Sequence, residues 1–384
     1  MAGMTSPPVS VREPGSTESL VSPDDPRIGL PLDQLDTPSL LLDRDACARN
    51  LRRMANFFVD RPASLRPHFK NHKCVTLARL QLEAGAVGMT CAKLGEAEVL
   101  VEHGFRDVLV ANQVVGEPKM RRLAALARRA EIGVAVDHPE QVEAISAAAV
   151  AAGSVVGLLV EVDIGMGRCG VQPGEPAVEL ARRIRDLPGV RFDGLQAFEG
   201  HLVNVVDRAE RAELSAEAMG RAVVTRERIE SAGIAVGRIS GCSSATYDVT
   251  GVLPGVDEVQ AGTYVTMDRQ DHRLVPEFEI ALSVGVRVIS RPAAGRAVLD
   301  IGVKGAGGEF GVPGILGHDE VEVPFFLSEE HLVIRNAPDW PIGQVLRMIP
   351  THACTTCNLH RELVVHQQGL VVDIWPIEAS GRLK

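Results

Sequence analysis

VVGLLVEV, residues 155–162, runs directly into DIGMGRCGV, residues 163–171. The first stretch is apolar almost throughout and fits a strand buried on both faces, as in a parallel sheet covered by helices. The glycines that follow let the backbone bend tightly where the strand ends. Shorter apolar runs recur on either side: SLLL (39–42), VGMTCA (87–92), DVLVAN (107–112), IGVAV (132–136), FDGLQAF (192–198) and GRISG (237–241). Segments of helical length and composition lie between them, among them DACARNLRRMANFF, PAVELARRIRDL and RAELSAEAMGRAVVTRERIESAG. Asp45 is the expected N-cap of the first, and Ala232-Gly233 a fitting stop for the last. With PHFK (67–70) counted as a strand, eight βα units result. Eight units over residues 37–270 predict an α/β fold, a closed (β/α)8 TIM-type barrel; a doubly wound open sheet is the competing architecture.

After residue 270 the pattern changes. FEIALSVGVRVIS, RAVLDIGV, DEVEVPFFL, HLVIR, VLRMIP and LVVDIWPI read as strands separated by turns, with little helix. Residues 271–384, joined by 28–36, are expected to form a β domain. Residues 1–27 are rich in Pro, Ser, Gly and charge, without the apolar stretch of a signal peptide, and read as a disordered tail. The net charge of −10 argues against nucleic acid as the main partner. No apolar run is long enough to span a membrane. The seven cysteines (Cys47, Cys74, Cys91, Cys169, Cys242, Cys354 and Cys357) are odd in number and irregularly spaced, which fits a reducing cytoplasm better than a disulfide framework.

Four segments can carry chemistry. In RPHFKNHK (66–73), a strand would turn His68, Lys70 and His72 to one side. A lysine inside a barrel needs a partner or a covalent role, and burial depresses its pKa as a Schiff-base amine requires; a basic surface loop is the alternative. Arg168, in the glycine loop after the central strand, can hold an anion or a phenolate, or simply face solvent. ISGCSSAT (239–246) and QAGTY (260–264) are small, hydroxyl-bearing loops of the kind that meet phosphate after the last strands of a barrel. In THACTTCNLH (351–360), His352 and Cys354 point the same way if extended and can share a metal. A closed zinc site adding Cys357 and His360 is the less favoured reading.

In combination the order PHxKxHK, GxGRCGV, Ser/Gly/Thr loop, AGTYVxMD and late His-x-Cys resembles the D-threonine aldolase and D-serine dehydratase family, which shares the barrel of alanine racemase. The likeness runs from Leu35-Asp36-Thr37-Pro38 to Trp375-Pro376-Ile377. It implies pyridoxal 5'-phosphate carried on Lys70, with His68 beside it and Arg168 on its phenolic oxygen. It also implies that Gly241, Cys242, Ser243, Gly262 and Thr263 surround the phosphate and that Tyr264 stands close to the ring. His352 and Cys354 would hold a divalent metal, zinc or manganese, beside the substrate's β-hydroxyl.

The resemblance implies a small β-hydroxy amino acid of D configuration as substrate and a homodimer as the assembly. Cleavage to glycine and an aldehyde is the first expectation; dehydration to a keto acid and ammonia is the alternative. The aldolase motif Tyr-x-Gly-x-x-Gln-His reads Phe198-Glu199-Gly200-His201-Leu202-Val203-Asn204 here, so His201 or Glu199 must serve as base where the motif has its final His. The His-x-Cys pair is the dehydratase pattern. A non-catalytic pyridoxal-phosphate carrier is disfavoured by the β domain. A racemase is disfavoured because Tyr247 and Tyr264, the only tyrosines, both precede that domain.

Overall fold

The computed structural model describes residues 25–326 and 328–384. The tail expected over 1–27 lies outside the described residues except for its last three. Among the described residues, eight parallel strands form one sheet: β2 (Ser64–Leu65), β3 (Met89–Cys91), β4 (Asp107–Val110), β5 (Glu131–Val136), β6 (Val156–Val162), β7 (Val190–Ala197), β8 (Arg238–Gly241) and β9 (Glu258–Val259), in the order β2-β9-β8-β7-β6-β5-β4-β3. The ring closes between its two ends: Val87 N donates to Leu65 O at 2.9 Å, Thr90 N donates to Pro67 O at 2.9 Å, and His68 bridges Thr90 in parallel. The expected barrel is therefore present.

Helices clothe the barrel for the reason their sequences give. Glu175–Asp186 buries Ala177, Val178, Leu180, Ala181 and Ile184, one stripe at helical spacing, and places Arg183 and Arg185 in its last turn, where they complement the dipole. Arg208–Ser231 starts at Asp207, whose side chain accepts from Glu210 N, and stops before Gly233 at φ 79°. At the first helix the cap is Asp43 and not Asp45. Its Oδ1 accepts from Asp45 N and Ala46 N, and Asp45 supplies an acidic first turn.

SLLL was expected in the barrel, but β1 (Ser39–Asp43) belongs to the other sheet, antiparallel to β10 (Leu282–Ala293) and parallel to β15 (Glu362–Gln367). The run is buried on both faces in either sheet, so its apolarity does not distinguish them. The eighth barrel strand is Glu258–Val259, two residues long and too short to leave a pattern. The second sheet is completed by β11 (Arg296–Leu299), β12 (Gly314–Ile315), β13 (Leu332–Arg335), β14 (Val345–Ile349) and β16 (Leu370–Pro376), in the order β12-β14-β10-β1-β15-β16 with β11 attached to β10 and β13 to β11. Among the described residues of the strand expected at DEVEVPFFL, only a bridge between Glu322 and Arg335 forms. Leu40, Leu42, Val284, Val286 and Val365 pack with Tyr264 and Phe278 into a core between this sheet and the barrel.

The N-terminal end of the barrel is closed by charge. Arg66, 2% exposed, donates to Asp107 at 2.8 and 2.9 Å and to Glu258 at 2.8 Å, and Arg238 joins Glu258 at 3.2 Å. Losing Arg66 would leave Glu258 with Arg238 and the half-exposed Asp107 with solvent, so the cost is that of lost charged hydrogen bonds, about 1.5–3 kcal/mol. Arg66→Met is accordingly expected to lower unfolding stability by about that amount in urea titration. A change under about 0.5 kcal/mol would mean that the carboxylates rehydrate freely. Of the chemistry-bearing segments this end holds the Arg66 side chain that opens RPHFKNHK, while Lys70, Arg168 and Phe198 follow the C-terminal ends of their strands.

Candidate active site

PHFK does not continue as a strand. After the bridge at His68 the chain turns through a 3-10 segment, Phe69–Asn71, with His68 Nδ1 accepting from Lys70 N at 3.5 Å. His68, Lys70 and His72 therefore do not share a strand face. His72 turns into the core, where its Nε2 meets Gln81 at 3.1 Å, while Lys70 remains partly accessible. The ladder passes Pro67 and ends with His68, whose amide donates to the Ala261 carbonyl at 3.3 Å.

Lys70 Nζ lies 5.6 Å from the centre of the Phe198 ring, and the Arg168 guanidinium lies 5.4 Å from the same ring. The two cations thus converge from the ends of β2 and β6 on a residue after β7, all at the C-terminal mouth. Arg168 rides on a loop tied at its base by Asp163 N to Val171 O and Val171 N to Glu161 O, each 2.9 Å. Asp163 Oδ1 accepts from Gly165 N and Gly167 N at 3.0 Å, and these amides hold its pKa below the usual carboxylate range. Beneath Arg168 sits the buried Glu161, 4.0 Å from its Nη2 and hydrogen-bonded to Gln113. Burial, and then the charges of Lys70, Arg168 and Lys73, hold His68 well below the ordinary histidine pKa.

His201 lies in the 3-10 segment Gly200–Asn204, its ring against Gly165 of the Arg168 loop. Glu199, adjacent, is fully enclosed. Its Oε1 accepts from Thr246 Oγ1 at 2.6 Å, and burial pushes its carboxyl above the usual range. Cys242 is buried with φ 77°, and Ser243 is the single residue from Gly241 to Tyr247 that is not buried. Gly241 and Gly262 have a packing role of their own: a β-carbon at Gly241 would collide with the Ala197 carbonyl, and one at Gly262 would come within 2.8 Å of the His68 carbonyl. Thr263 begins the 3-10 segment Thr263–Val265 and is buried. Tyr264 sits behind the Lys70 turn, its hydroxyl accepting from Gln81 at 3.1 Å and its ring against Phe278.

His352 and Cys354 were expected on a strand. Instead His352 is the N-cap of a helix, Ala353–Leu359, and Cys354 lies in its first turn. Because the cap residue is itself extended, at φ −143° and ψ 120°, the two side chains still meet. The pair lies against the Lys70 turn, with Asn71 Nδ2 3.8 Å from Cys354 Sγ. Asp268 fixes the pair from behind: its Oδ2 accepts from Ala353 N at 2.9 Å and lies 3.3 Å from His352 Nδ1. Burial opposes a charge on His352, but Cys354 and Asp268 together outweigh it and hold the pKa up at about 11. Burial, and then Asp268, push Asp271 up to about 7. Cys357 is buried and His360 Nε2 is bonded to the Gly305 carbonyl at 2.7 Å, so neither joins the pair. Phe198, Asp268, Asn71 and Thr246 are the site residues that sequence reasoning did not single out. All four lie within motifs the sequence offered, Asn71 in RPHFKNHK, Thr246 in ISGCSSAT, Phe198 in the segment 198–204 and Asp268 at the end of AGTYVTMD, but none had a signal of its own.

Among the described residues, the buried His201 Nδ1 at this mouth has no hydrogen-bond partner, and His352 Nδ1 faces the Asp268 carboxylate at 3.3 Å outside hydrogen-bond geometry. Orphaned buried groups cost free energy unless something completes them. Together with two cations facing one ring and a His–Cys pair backed by a carboxylate, they fit an anionic aromatic cofactor and a soft divalent cation.

Such a mouth, in a (β/α)8 barrel closed by a β domain, defines a class of cofactor-dependent barrel enzyme. Residues 42–270 match the family model "Alanine racemase, N-terminal domain", and residues 281–366 match "Putative serine dehydratase domain". D-threonine aldolase from Arthrobacter sp is 40% identical over 364 residues, 92% of this chain and 95% of that protein. The crystal structure of D-threonine aldolase from Filomicrobium marinum superposes with a TM-score of 0.90 at 37% identity, covering 93% of this chain and 99% of that one. D-threo-3-hydroxyaspartate dehydratase from Delftia sp. HT23 superposes with a TM-score of 0.80 at 27% identity, covering 90% and 98%. The chain belongs to the alanine racemase N-terminal family, in its D-threonine aldolase and D-serine dehydratase branch. It is a pyridoxal-phosphate-dependent lyase. Among the described residues, no helix is long and apolar enough to cross a membrane.

Proposed function

We propose that this lyase is metal-activated and cleaves a D-configured β-hydroxy-α-amino acid between Cα and Cβ, giving glycine and an aldehyde. The observation that carries this reading is the similarity to D-threonine aldolase along both the barrel and the β domain. Lys70 is the residue assigned to hold pyridoxal 5'-phosphate, with His68 beside it, Arg168 toward its phenolic oxygen, and Cys242, Ser243 and Thr263 at its phosphate. When bound there, the cofactor supplies an electron sink for a carbanion at Cα. His352 and Cys354 would hold a divalent cation, which makes a β-hydroxyl more acidic; the thiolate favours zinc over manganese. Among the described residues, no three His, Cys, Asp or Glu side chains converge on one point. Substrate and water oxygens would therefore complete the coordination.

The remaining steps belong to the chain itself. Arg168 and Phe198 fix the ring side of the site, and Asp268 holds the His352 ring in orientation. His201 takes the β-hydroxyl proton as Cα–Cβ breaks, and the freed Lys70 amine, as ammonium, returns a proton to Cα. The same reading takes the protein as a cytoplasmic homodimer; its seven cysteines are free.

One observation favours a second reading. His-x-Cys is the dehydratase form of the pair, and a dehydratase shares the fold over nine-tenths of the chain. In that case Lys70 takes the Cα proton, hydroxide leaves Cβ, and the product hydrolyses to a keto acid and ammonia. Product analysis separates the two. The cofactor- and metal-loaded protein, given D-threonine, should yield glycine and acetaldehyde, with L-threonine untouched. Oxobutanoate and ammonia would establish the second reading. No turnover of D-threonine, D-serine or any 3-hydroxyaspartate isomer would sink both.

A further inference from the structure

We propose that Glu199 is a positioning residue that anchors the loop Cys242–Thr246 at the phosphate end of the site, and that it is not a base. The proposal rests on the pyridoxal-phosphate reading above. Glu199 follows β7 directly, and the loop follows β8, its neighbour in the barrel. The carboxylate is fully enclosed. Its Oε1 accepts from Thr246 Oγ1 at 2.6 Å and faces Thr250 Oγ1 at 3.4 Å, while the Cys242 thiol donates to the Ser243 carbonyl at 3.1 Å. Thr246 Oγ1 is in turn 3.3 Å from both Cys242 Sγ and Ser243 Oγ. One buried side chain therefore gathers both ends of the loop and the short helix Tyr247–Thr250 beyond it.

The backbone shows why an anchor is needed. Cys242 has φ 77°, a left-handed conformation that a non-glycine residue keeps only when its surroundings over-determine it. Two hydroxyls drawn onto one carboxyl, with the Cys242 thiol and the Ser243 hydroxyl gathered on Thr246, provide that constraint. The result is a loop whose sole partly exposed residue between Gly241 and Tyr247 is Ser243, presented to the mouth. A base, by contrast, must come within hydrogen-bond reach of the proton it takes. Glu199 has one oxygen committed to hydroxyls and no exposed surface. Burial favours its neutral acid, whose carbonyl oxygen still accepts from Thr246.

The test measures cofactor dissociation constants by absorbance titration of the apo form of the full chain, with inorganic phosphate as competitor, for wild type, Glu199→Ala, Glu199→Gln and Thr246→Val. Loss of the anchor should weaken pyridoxal-phosphate binding roughly tenfold or more in Glu199→Ala. Thr246→Val should move the same way, and phosphate should compete less well in both. Glu199→Gln keeps an acceptor for Thr246 and should recover most of the loss. Wild-type cofactor affinity in Glu199→Ala and Thr246→Val overturns the proposal. So does a turnover equally low in the Ala and Gln variants at unchanged cofactor affinity, which is how a base behaves. Should Glu199→Ala fail to fold, Thr246→Val decides. A wild-type protein that takes up no pyridoxal phosphate would overturn the cofactor reading itself, and the anchor with it.

Discussion

Lys70→Ala will abolish the long-wavelength absorbance of the lysine-bound cofactor and cut turnover by roughly 10³-fold or more, the scale on which a nucleophile and proton carrier contributes. The fold should survive. The Lys70 side chain is partly accessible, and its contact with the described chain is the Phe198 ring at 5.6 Å. The neighbouring Lys73 cannot take over. It is buried and paired with Glu96 at 2.7 Å, and Glu96 Oε2 accepts from Ala92 N at 2.7 Å as well. A mutant that keeps the absorbance band would move the cofactor to another lysine and remove the basis for Arg168 as its partner.

His352→Ala should leave cofactor absorbance and dissociation constant near wild type while lowering turnover of β-hydroxy substrates by two to three decades. That corresponds to about 3–4 kcal/mol of lost charge stabilisation at the β-oxygen. The separation is expected because Cys354 meets the Lys70 turn at Asn71, whereas Lys70 and Arg168 face the Phe198 ring. Wild-type protein stripped by a chelator should show the same defect, reversed by zinc or manganese, whereas the mutant should not recover. Full activity after exhaustive chelation would remove the metal from the account.

The central run VVGLLVEV and its glycine loop could be read from the sequence because a fully apolar strand followed by DIGMGRCG has few alternatives. Their place at the barrel mouth followed from that. The His352–Cys354 pairing was legible for a reason that differs from the one expected. The segment is a helix start, yet the extended cap residue preserves the adjacency that a strand would have given. Other features had no local signal. SLLL is buried on two faces in either sheet, and the two-residue strand Glu258–Val259 has no pattern to find. His72 and Tyr264 lie in motifs that carry chemistry, but Gln81, outside both motifs and far in sequence from Tyr264, ties both of them into the core. Glu199 could be noticed but not assigned, because its partners Thr246 and Thr250 come from the next βα unit.

Borohydride reduction of the holoprotein, followed by peptide mass spectrometry, would test the central claim most directly, since reduction fixes the cofactor to the amine that carries it. The account predicts a single phosphopyridoxyl group on Lys70. The same group on Lys73 or on any other lysine, or no modification of a protein that binds pyridoxal phosphate, would contradict it.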